Sequence, residues 1–428
     1  MNNLDLSAAI TSATRRKGNV MISFGIIGLS AIYLQKLGLT SSNGSNIGID
    51  AFILLGALLW LFLNGRAVIQ PARALLLVAL LFSVAFALVG EAFAGAAIGS
   101  LPAVFIFLLI YTTLIFQVDV SRKLALRCFN IFQRGMLAIA VVIIAQQAMQ
   151  FSIGNRYWPN LDSILPSGLL IHGYAYLRPY SWNSPFLTPN GVFFLEPSIA
   201  SEYLAIAFTA ELIWFRKTWR LAILAGGLVA GMAGTGLAVI ALVSPVLLFK
   251  LDRKLLKLAS CIGLPLLVVA GLNGAFSHLL DRSTELSSSN SSGYARLVIP
   301  FDETWSLIAN PSFLLVGDGP GTSPKGDNQV QWPANKLIYE YGLVTAVIFH
   351  IFLLWSVLGS PASRTMALVV LIPHLFFGGG IVAHSSVMTL VLFGSLIRIV
   401  PSRSDKVADA ALWEWPESNA SLEEAAVR

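Results

Sequence analysis

Charge is what this sequence has least of. Only 12% of its 428 residues are Asp, Glu, Lys or Arg, whereas 56% are hydrophobic and the mean hydropathy is +0.74; an average soluble domain is about a quarter charged. The 28 Lys and Arg and 22 Asp and Glu cannot coat a water-soluble body of this size. That leaves helices in lipid, which satisfy their backbone groups internally. Cysteine is nearly absent too. Cys128 follows a basic stretch and Cys261 lies inside an apolar run, so disulfides do not order the two long polar segments. The five histidines include no pair at metal-ligand spacing such as H-x-x-x-H. The glycine run G-D-G-P-G-T from Gly317 lacks the lysine and Ser/Thr of a phosphate-binding loop and has no strand before it. No metal, nucleotide or other cofactor is therefore expected, and the glycine run reads as a tight turn. The pI near 9.3 comes from short basic connections, so no nucleic-acid partner is implied.

What is present is a series of apolar runs near the roughly 20 residues that cross a bilayer. They cover Val20–Leu39, Ile47–Leu63, Ala74–Gly90, Ala97–Phe116, Gly135–Phe151, Gly191–Phe215, Leu221–Phe249, Leu258–Leu272, Leu337–Val357, Met366–Phe377 and Ile381–Val400. The first follows Arg15, Arg16 and Lys17 without a small-residue cleavage pattern, which reads as an uncleaved span. The run from Leu221 suits one tilted helix or two short ones turning at Gly231, Gly234, Thr235 and Gly236. Charge arbitrates, because basic residues gather in alternate connections. Only two short helices keep both Arg216–Arg220 and Lys250–Lys257 on the basic, cytoplasmic side.

The expected fold is all-α, a polytopic transmembrane helical bundle of about twelve spans occupying residues 1–400, with both termini cytoplasmic. Two long periplasmic loops, 154–190 and 273–335, carry short amphipathic helices, and the polar tail 401–428 is expected to be disordered. No internal repeat is evident.

The two loops hold the candidate chemistry. In the first, Tyr157, Trp158, Tyr174, Tyr176, Tyr180 and Trp182 suit either an interfacial aromatic belt or the stacking of sugar rings, and composition does not separate the two. Arg156 and Arg178, joined by Arg282, Arg296, Lys325 and Lys336 of the second loop, offer cations for phosphate oxygens. The second loop also carries a stripe of Tyr294, Leu297, Val298, Phe301, Trp305 and Ile308 at helical spacing, expected to lie along the membrane surface and to kink or restart at Pro300. Ionisable groups within spans are costly and mark function by default. Glu196, in F-F-L-E-P-S, stands out as a base, a ligand for sugar hydroxyls or a partner for Arg178. Glu211 is expected to pair with Arg216, and Glu91 reads as a boundary residue. His172 is the first loop's one histidine and a second candidate base.

In order, F-L-E-P-S from Phe194, G-T-G-L from Gly234, S-G-Y-A-R-L from Ser292, G-D-G-P-G from Gly317 and N-K-L-I-Y-E-Y-G-L from Asn335 resemble the Wzy-type polysaccharide polymerase and O-antigen ligase superfamily of bacterial inner-membrane proteins. The likeness runs over roughly Leu187 to Val357. It implies a periplasm-facing glycosyltransferase that takes a glycan from undecaprenyl diphosphate, either onto a lipid-linked repeat unit as a polymerase or onto lipid A core as a ligase. The ligase branch carries a histidine before the asparagine of N-x-x-L; here that position is Ala334, which favours the polymerase. The resemblance implies Glu196, Arg296 and Asn335 as site members, Asn335 toward glycan; Tyr176 and Trp182 join it as glycan-binding candidates on their ring-stacking chemistry. Arg156, Arg178, Arg282 and His172 rest on chemistry and topology. Implied partners are lipid-linked glycans, membrane lipid, a chain-length regulator and a lipid-linked sugar flippase. A secondary transporter or flippase is the competing class, but it should show repeat symmetry and broken helices in matching halves.

Overall fold

The computed structural model describes residues 3–40, 46–93, 100–155, 158–172, 174, 176–179, 186–248, 292–323, 332–377 and 384–400, with backbone alone at 3–17, 40, 46, 248, 292, 293 and 295–297. It is 75% helical. The helices are α1 (Asn3–Tyr33), α2 (Ile49–Leu63), α3 (Pro71–Phe93), α4 (Leu101–Thr112), α5 (Arg122–Ile153), α6 (Pro197–Ala210, continued by a wider turn over Glu211–Phe215), α7 (Thr218–Gly231), α8 (Gly234–Leu248), α9 (Ser292–Ala309), α10 (Pro333–Leu358), α11 (Arg364–Phe376) and α12 (His384–Leu390, continued over Val391–Ser395). Their interiors are Leu, Ile, Val, Ala and Phe. Proline opens α3, α6 and α10, where the missing N–H would be unbonded anyway. Ser363 caps α11 by accepting a hydrogen bond from the Met366 amide at 3.4 Å.

Among the described residues four helices, Pro71–Phe93, Arg122–Ile153, Pro197–Phe215 and Pro333–Leu358, are long and apolar enough to cross a membrane; six more apolar helices are shorter, at 10–17 residues. The expected span Leu258–Leu272, the serine-rich start of the second loop and the tail 401–428 lie outside the described residues.

Contacts between helix ends divide the bundle into two poles. At one, the loop pole, the Ile171 amide donates to the Lys36 carbonyl after α1 and Asp50 at the head of α2 meets His384 at the head of α12. There too Ser100 before α4 bonds the Pro320 carbonyl, and Trp332 before α10 packs on Phe376 at the end of α11. At the other pole the short strands β3 (Val68–Ile69), β4 (Phe116–Val120) and β5 (Ile397–Ile399) form a sheet, β3 antiparallel and β5 parallel to β4. A hairpin of β1 (Gly38–Thr40) and β2 (Asn46–Gly48) links α1 to α2 at the loop pole.

The apolar stretch from Leu221 is two helices. The chain reverses at Met232, which has φ +48, and the Gly236 amide donates to the Ser201 hydroxyl at 3.0 Å near the head of α6. From there α8 runs back along α6 and α11. The approach is so close that a Cβ on Gly236 would lie 2.2 Å from the Ser201 carbonyl oxygen. Helix α10 is broken as well, at Gly342 (φ 84, ψ 164). By contrast α9 continues through Pro300 rather than restarting there, and Phe301, Trp305 and Ile308 stay exposed along its outer face.

Candidate functional site

Polar side chains of the loop pole fall into two groups. The first lies under the first loop. Gln150, in the last turn of α5, donates to the Leu187 carbonyl at 3.0 Å and accepts from the Leu187 amide at 2.9 Å, and Gln146 accepts from the Gly191 amide at 2.8 Å. These bonds fix the return of the loop. Its outward limb is held by Lys36, whose buried ammonium lies 3.3 Å from Asp162 and 4.1 Å above the ring of Tyr176. The Tyr176 hydroxyl donates to the Ile171 carbonyl. Its pKa is pushed up to about 12, first by burial and then by the negative charge of Asp162 and by Tyr174.

Glu196 is the residue just before α6, in extended backbone (φ −142, ψ 155), with Pro197 behind it. Its carbonyl accepts the Ala200 amide and its Oε2 accepts the Ser198 hydroxyl at 2.9 Å. A carboxylate at a helix N-terminus also benefits from the helix dipole. Tyr174 senses both this carboxylate and that of Asp50: its pKa is raised, chiefly by burial and then by the charges of Glu196 and Asp50.

The same pole holds an Asp–His contact that sequence reasoning missed. Asp50, in the first turn of α2, is fully buried, and His384 opens α12 with Nε2 3.3 Å from Asp50 Oδ1. Asp50 Oδ1 accepts its neighbour's amide, Ala51, at 3.0 Å; among the described residues neither Asp50 Oδ2 nor His384 Nε2 has a hydrogen-bond partner. Tyr203 of α6 donates to the Ser385 carbonyl at 2.8 Å and bonds Gln35 of the segment after α1, so the pair sits in a polar knot walled by three helices.

The second group surrounds the break in α10. Segment 314–318 of the second loop lies across it. Asp318 donates its amide to the Tyr339 carbonyl at 2.8 Å on one side, and the Val344 amide donates to the Leu314 carbonyl at 3.3 Å on the other. The loop thus supplies partners that the interrupted helix lost. Both motif glycines are required by that contact: a Cβ on Gly317 would lie 2.3 Å from the Tyr339 oxygen, and one on Gly342 2.7 Å from the Leu315 carbonyl carbon. Around the seam, Glu340 accepts the Ser323 hydroxyl at 2.8 Å and lies 3.7 Å from Lys336. Asn335 donates to Glu303 of α9 at 2.8 Å. Glu91, at the end of α3, is buried, and among the described residues neither of its carboxylate oxygens has a hydrogen-bond partner.

Against the sequence-based nominations, Glu196, Tyr176 and Asn335 fall inside these groups, and each is engaged there, Glu196 by Ser198. Tyr176 lies under Lys36, and Asn335 is buried against α9. His172 is on the loop surface, its Nε2–H donating to the Ser167 carbonyl at 2.9 Å. Arg178 is exposed, with its carbonyl bonded to the Thr188 amide. Position 296 is on α9, two helical turns before Glu303, with its side chain outside the described atoms; Arg156, Arg282, Trp182 and Lys325 are outside the described residues. Among described side chains this pole is richer in acids than in bases. Glu211, at the other pole, has Arg220 at 3.7 Å.

Of the missed residues, Asp50 carried a signal: a carboxylate at the start of an apolar run is costly. Its partner did not, because His384 meets it only through the fold. Lys36 looked like the fringe of the first span until Asp162 came to cover it. Comparison with family models, curated proteins and solved structures gives no match to this chain.

Proposed function

We propose that this chain is a polytopic membrane glycosyltransferase that joins lipid-diphosphate-linked oligosaccharides on the periplasmic side of a bacterial inner membrane, as a polymerase of repeat units for exopolysaccharide, capsule or O-antigen. The observation that supports it most is the convergence of three stretches of the resemblance on the break in α10. The helix of S-G-Y-A-R-L is tied to Asn335 through Glu303, and G-D-G-P-G is hydrogen-bonded to the backbone of N-K-L-I-Y-E-Y-G-L. G-T-G-L in turn meets α6, the helix that F-L-E-P-S opens, where the Gly236 amide donates to the Ser201 hydroxyl. In this reading the bundle has about twelve spans, with both termini and the basic sheet pole in the cytoplasm.

The chemistry asks little of the protein. A diphosphate is a good leaving group, so cations that hold the charge growing on it are the main requirement; Arg178, Arg296, Arg156 and Arg282 are assigned that task. The attacking sugar hydroxyl needs a base within hydrogen-bond reach, and Glu196 takes that role ahead of the surface residue His172. One displacement inverts the anomeric centre, and no metal is required by this scheme.

The test is the purified chain given lipid-diphosphate oligosaccharide, with products sized on a gel. A ladder is expected. It should vanish in Glu196→Gln and Arg178→Ala and in Arg296→Ala while each variant still reaches the membrane; a full ladder in both arginine variants removes the cation assignment. Growth only when lipid A core is supplied would make the chain a ligase. A transporter is the second reading, favoured by the broken helix α10, since transporters build sites from such helices; it would leave oligosaccharide length unchanged.

A further inference from the structure

We propose that the edge of the α5–α7 seam at the sheet pole binds an anionic phospholipid, its headgroup phosphate among Arg127, Arg134 and Lys217 and its acyl chains along Val141 and Ile144. The site is independent of the glycosyl-transfer reading and lies at the opposite end of the bundle from Glu196. One hydrogen bond places its parts. Arg220 of α7 is buried and donates from Nη1 to Asn130 Oδ1 of α5 at 2.8 Å, which ties the two helices side by side. Arg127 and Arg134 stand three residues before and four after Asn130, on the same helical face, and both are exposed. They are about 10 Å apart along the axis at 1.5 Å per residue, within reach of a single phosphate between them. Lys217, also exposed, immediately precedes α7 in the turn beside that bond.

The neighbouring carboxylate does not neutralise these cations. Glu211 is fully buried: Oε1 accepts the Lys217 amide at 3.0 Å, and Oε2 accepts Gln133 Nε2 at 3.1 Å and lies 3.7 Å from Arg220. Among the described residues no carboxylate is paired with the side chain of Arg127, Arg134 or Lys217. Two features select a membrane lipid over a free anion. The Trp219 ring is 58% exposed and its centroid lies 5.3 Å from the Arg220 guanidinium, and an amphipathic ring of this kind settles at headgroup depth. Beyond Arg134 the same face of α5 continues through Val141 and Ile144, both exposed. Ile144 borders α7, since a Cβ on Gly226 would lie 3.3 Å from its Cδ1. Cations at the level of the ring, with an apolar strip leading toward the middle of the bundle, match the phosphate and the chains of one phospholipid. Guanidinium groups suit phosphate oxygens, and basic sites between helices on the cytoplasmic side take anionic headgroups.

Native mass spectrometry of the full chain, released from micelles holding equal amounts of phosphatidylglycerol and phosphatidylcholine, tests the site. Phosphatidylglycerol should be the lipid retained. At about fivefold for each basic residue at a membrane surface, Arg127→Gln combined with Arg134→Gln should cut that retention by about 25-fold. Arg66→Gln combined with Arg364→Gln removes the same charge from other connections of the same pole and should leave retention close to wild type. Equal loss in the two double variants, or no loss in the first, overturns the proposal. Phosphatidylglycerol with a photoreactive acyl chain should mark wild-type α5 at Val141 or Ile144, a result that needs no variant to fold; labelling confined to other helices overturns it too. Soluble glycerol phosphate, which is the headgroup without chains, should fail to displace the lipid. Full displacement would make this a site for free anions and not for a phospholipid.

Discussion

Gly48 and Gly56 stand at either side of the first turns of α2, and they should respond to the same substitution with opposite signs. Nothing lies within 4 Å of a Cβ on Gly56, whereas one on Gly48 would overlap Asp50 and His384. Overpacking of this kind costs about 1–3 kcal/mol, and Gly→Ala within an open helix interior gains about 0.5–1 kcal/mol. Gly48→Ala should therefore lower the thermal unfolding midpoint in detergent, and Gly56→Ala should raise it or leave it unchanged. A Gly48→Ala midpoint at or above wild type would mean that the space between β2 and the pair is not as tight as it stands. Neither glycine is distinguishable by sequence, since both sit in or beside one apolar run. Single residues were legible where their chemistry was out of place for a span, as with Glu196. They were hidden where a distant partner supplied the meaning, as His384 does for Asp50, Asp162 for Lys36 and Glu303 for Asn335.

At the scale of elements, the division between α7 and α8 was legible because four small residues coincide with a charge pattern that demands a reversal. The break in α10 was not. A lone glycine in a helical pattern is usually tolerated, and Gly342 adopts a backbone conformation open essentially to glycine alone only because segment 314–318 arrives to bond both edges of the gap. The first loop is the element whose attachment can be titrated. An undocked tyrosine ionises near about 10, whereas docked Tyr176 holds its proton to about 12. Because the docked pKa is the higher, its contribution is complete below the undocked value and is lost as pH rises through the docked one. The loop should accordingly loosen between those limits, seen as the sharpened release of tyrosinate absorbance together with a change in Trp158 fluorescence. In Tyr176→Phe the fluorescence change across that window should shrink. An identical change in that variant would assign the alkaline transition to another group.

Over the whole molecule, charge and chain direction agree. Arg66, Arg73, Arg122, Lys123, Arg216, Lys217, Arg220, Arg364 and Arg398 belong to the connections of the sheet pole, and Asp50, Asp162, Glu196, Glu303, Asp318 and Glu340 to the loop pole. Arg73 knits the sheet pole: it is buried and donates to the carbonyls of Leu114 at 3.1 Å and Ser395 at 2.9 Å and to the Ser360 hydroxyl at 3.0 Å. Arg398 adds a two-pronged bond to Asp119 across β4 and β5. Cytoplasmic loops collect Lys and Arg, so the sheet pole is the one expected inside. Helix lengths do not decide this, because among the described residues four helices are both long and apolar enough to cross on their own, and short helices can cross only where the bilayer thins or neighbours cover their ends. Single cysteines can decide it. Cys128 is buried; with it and Cys261 replaced by alanine, Ser163→Cys and Asn310→Cys, both exposed at the loop pole, should react with a membrane-impermeant maleimide in intact cells. Arg122→Cys, exposed near the sheet pole, should react only after the membrane is permeabilised. Labelling in the reverse order would turn the bundle over, put Glu196 and Arg178 in the cytoplasm, and leave lipid-linked periplasmic glycans out of their reach.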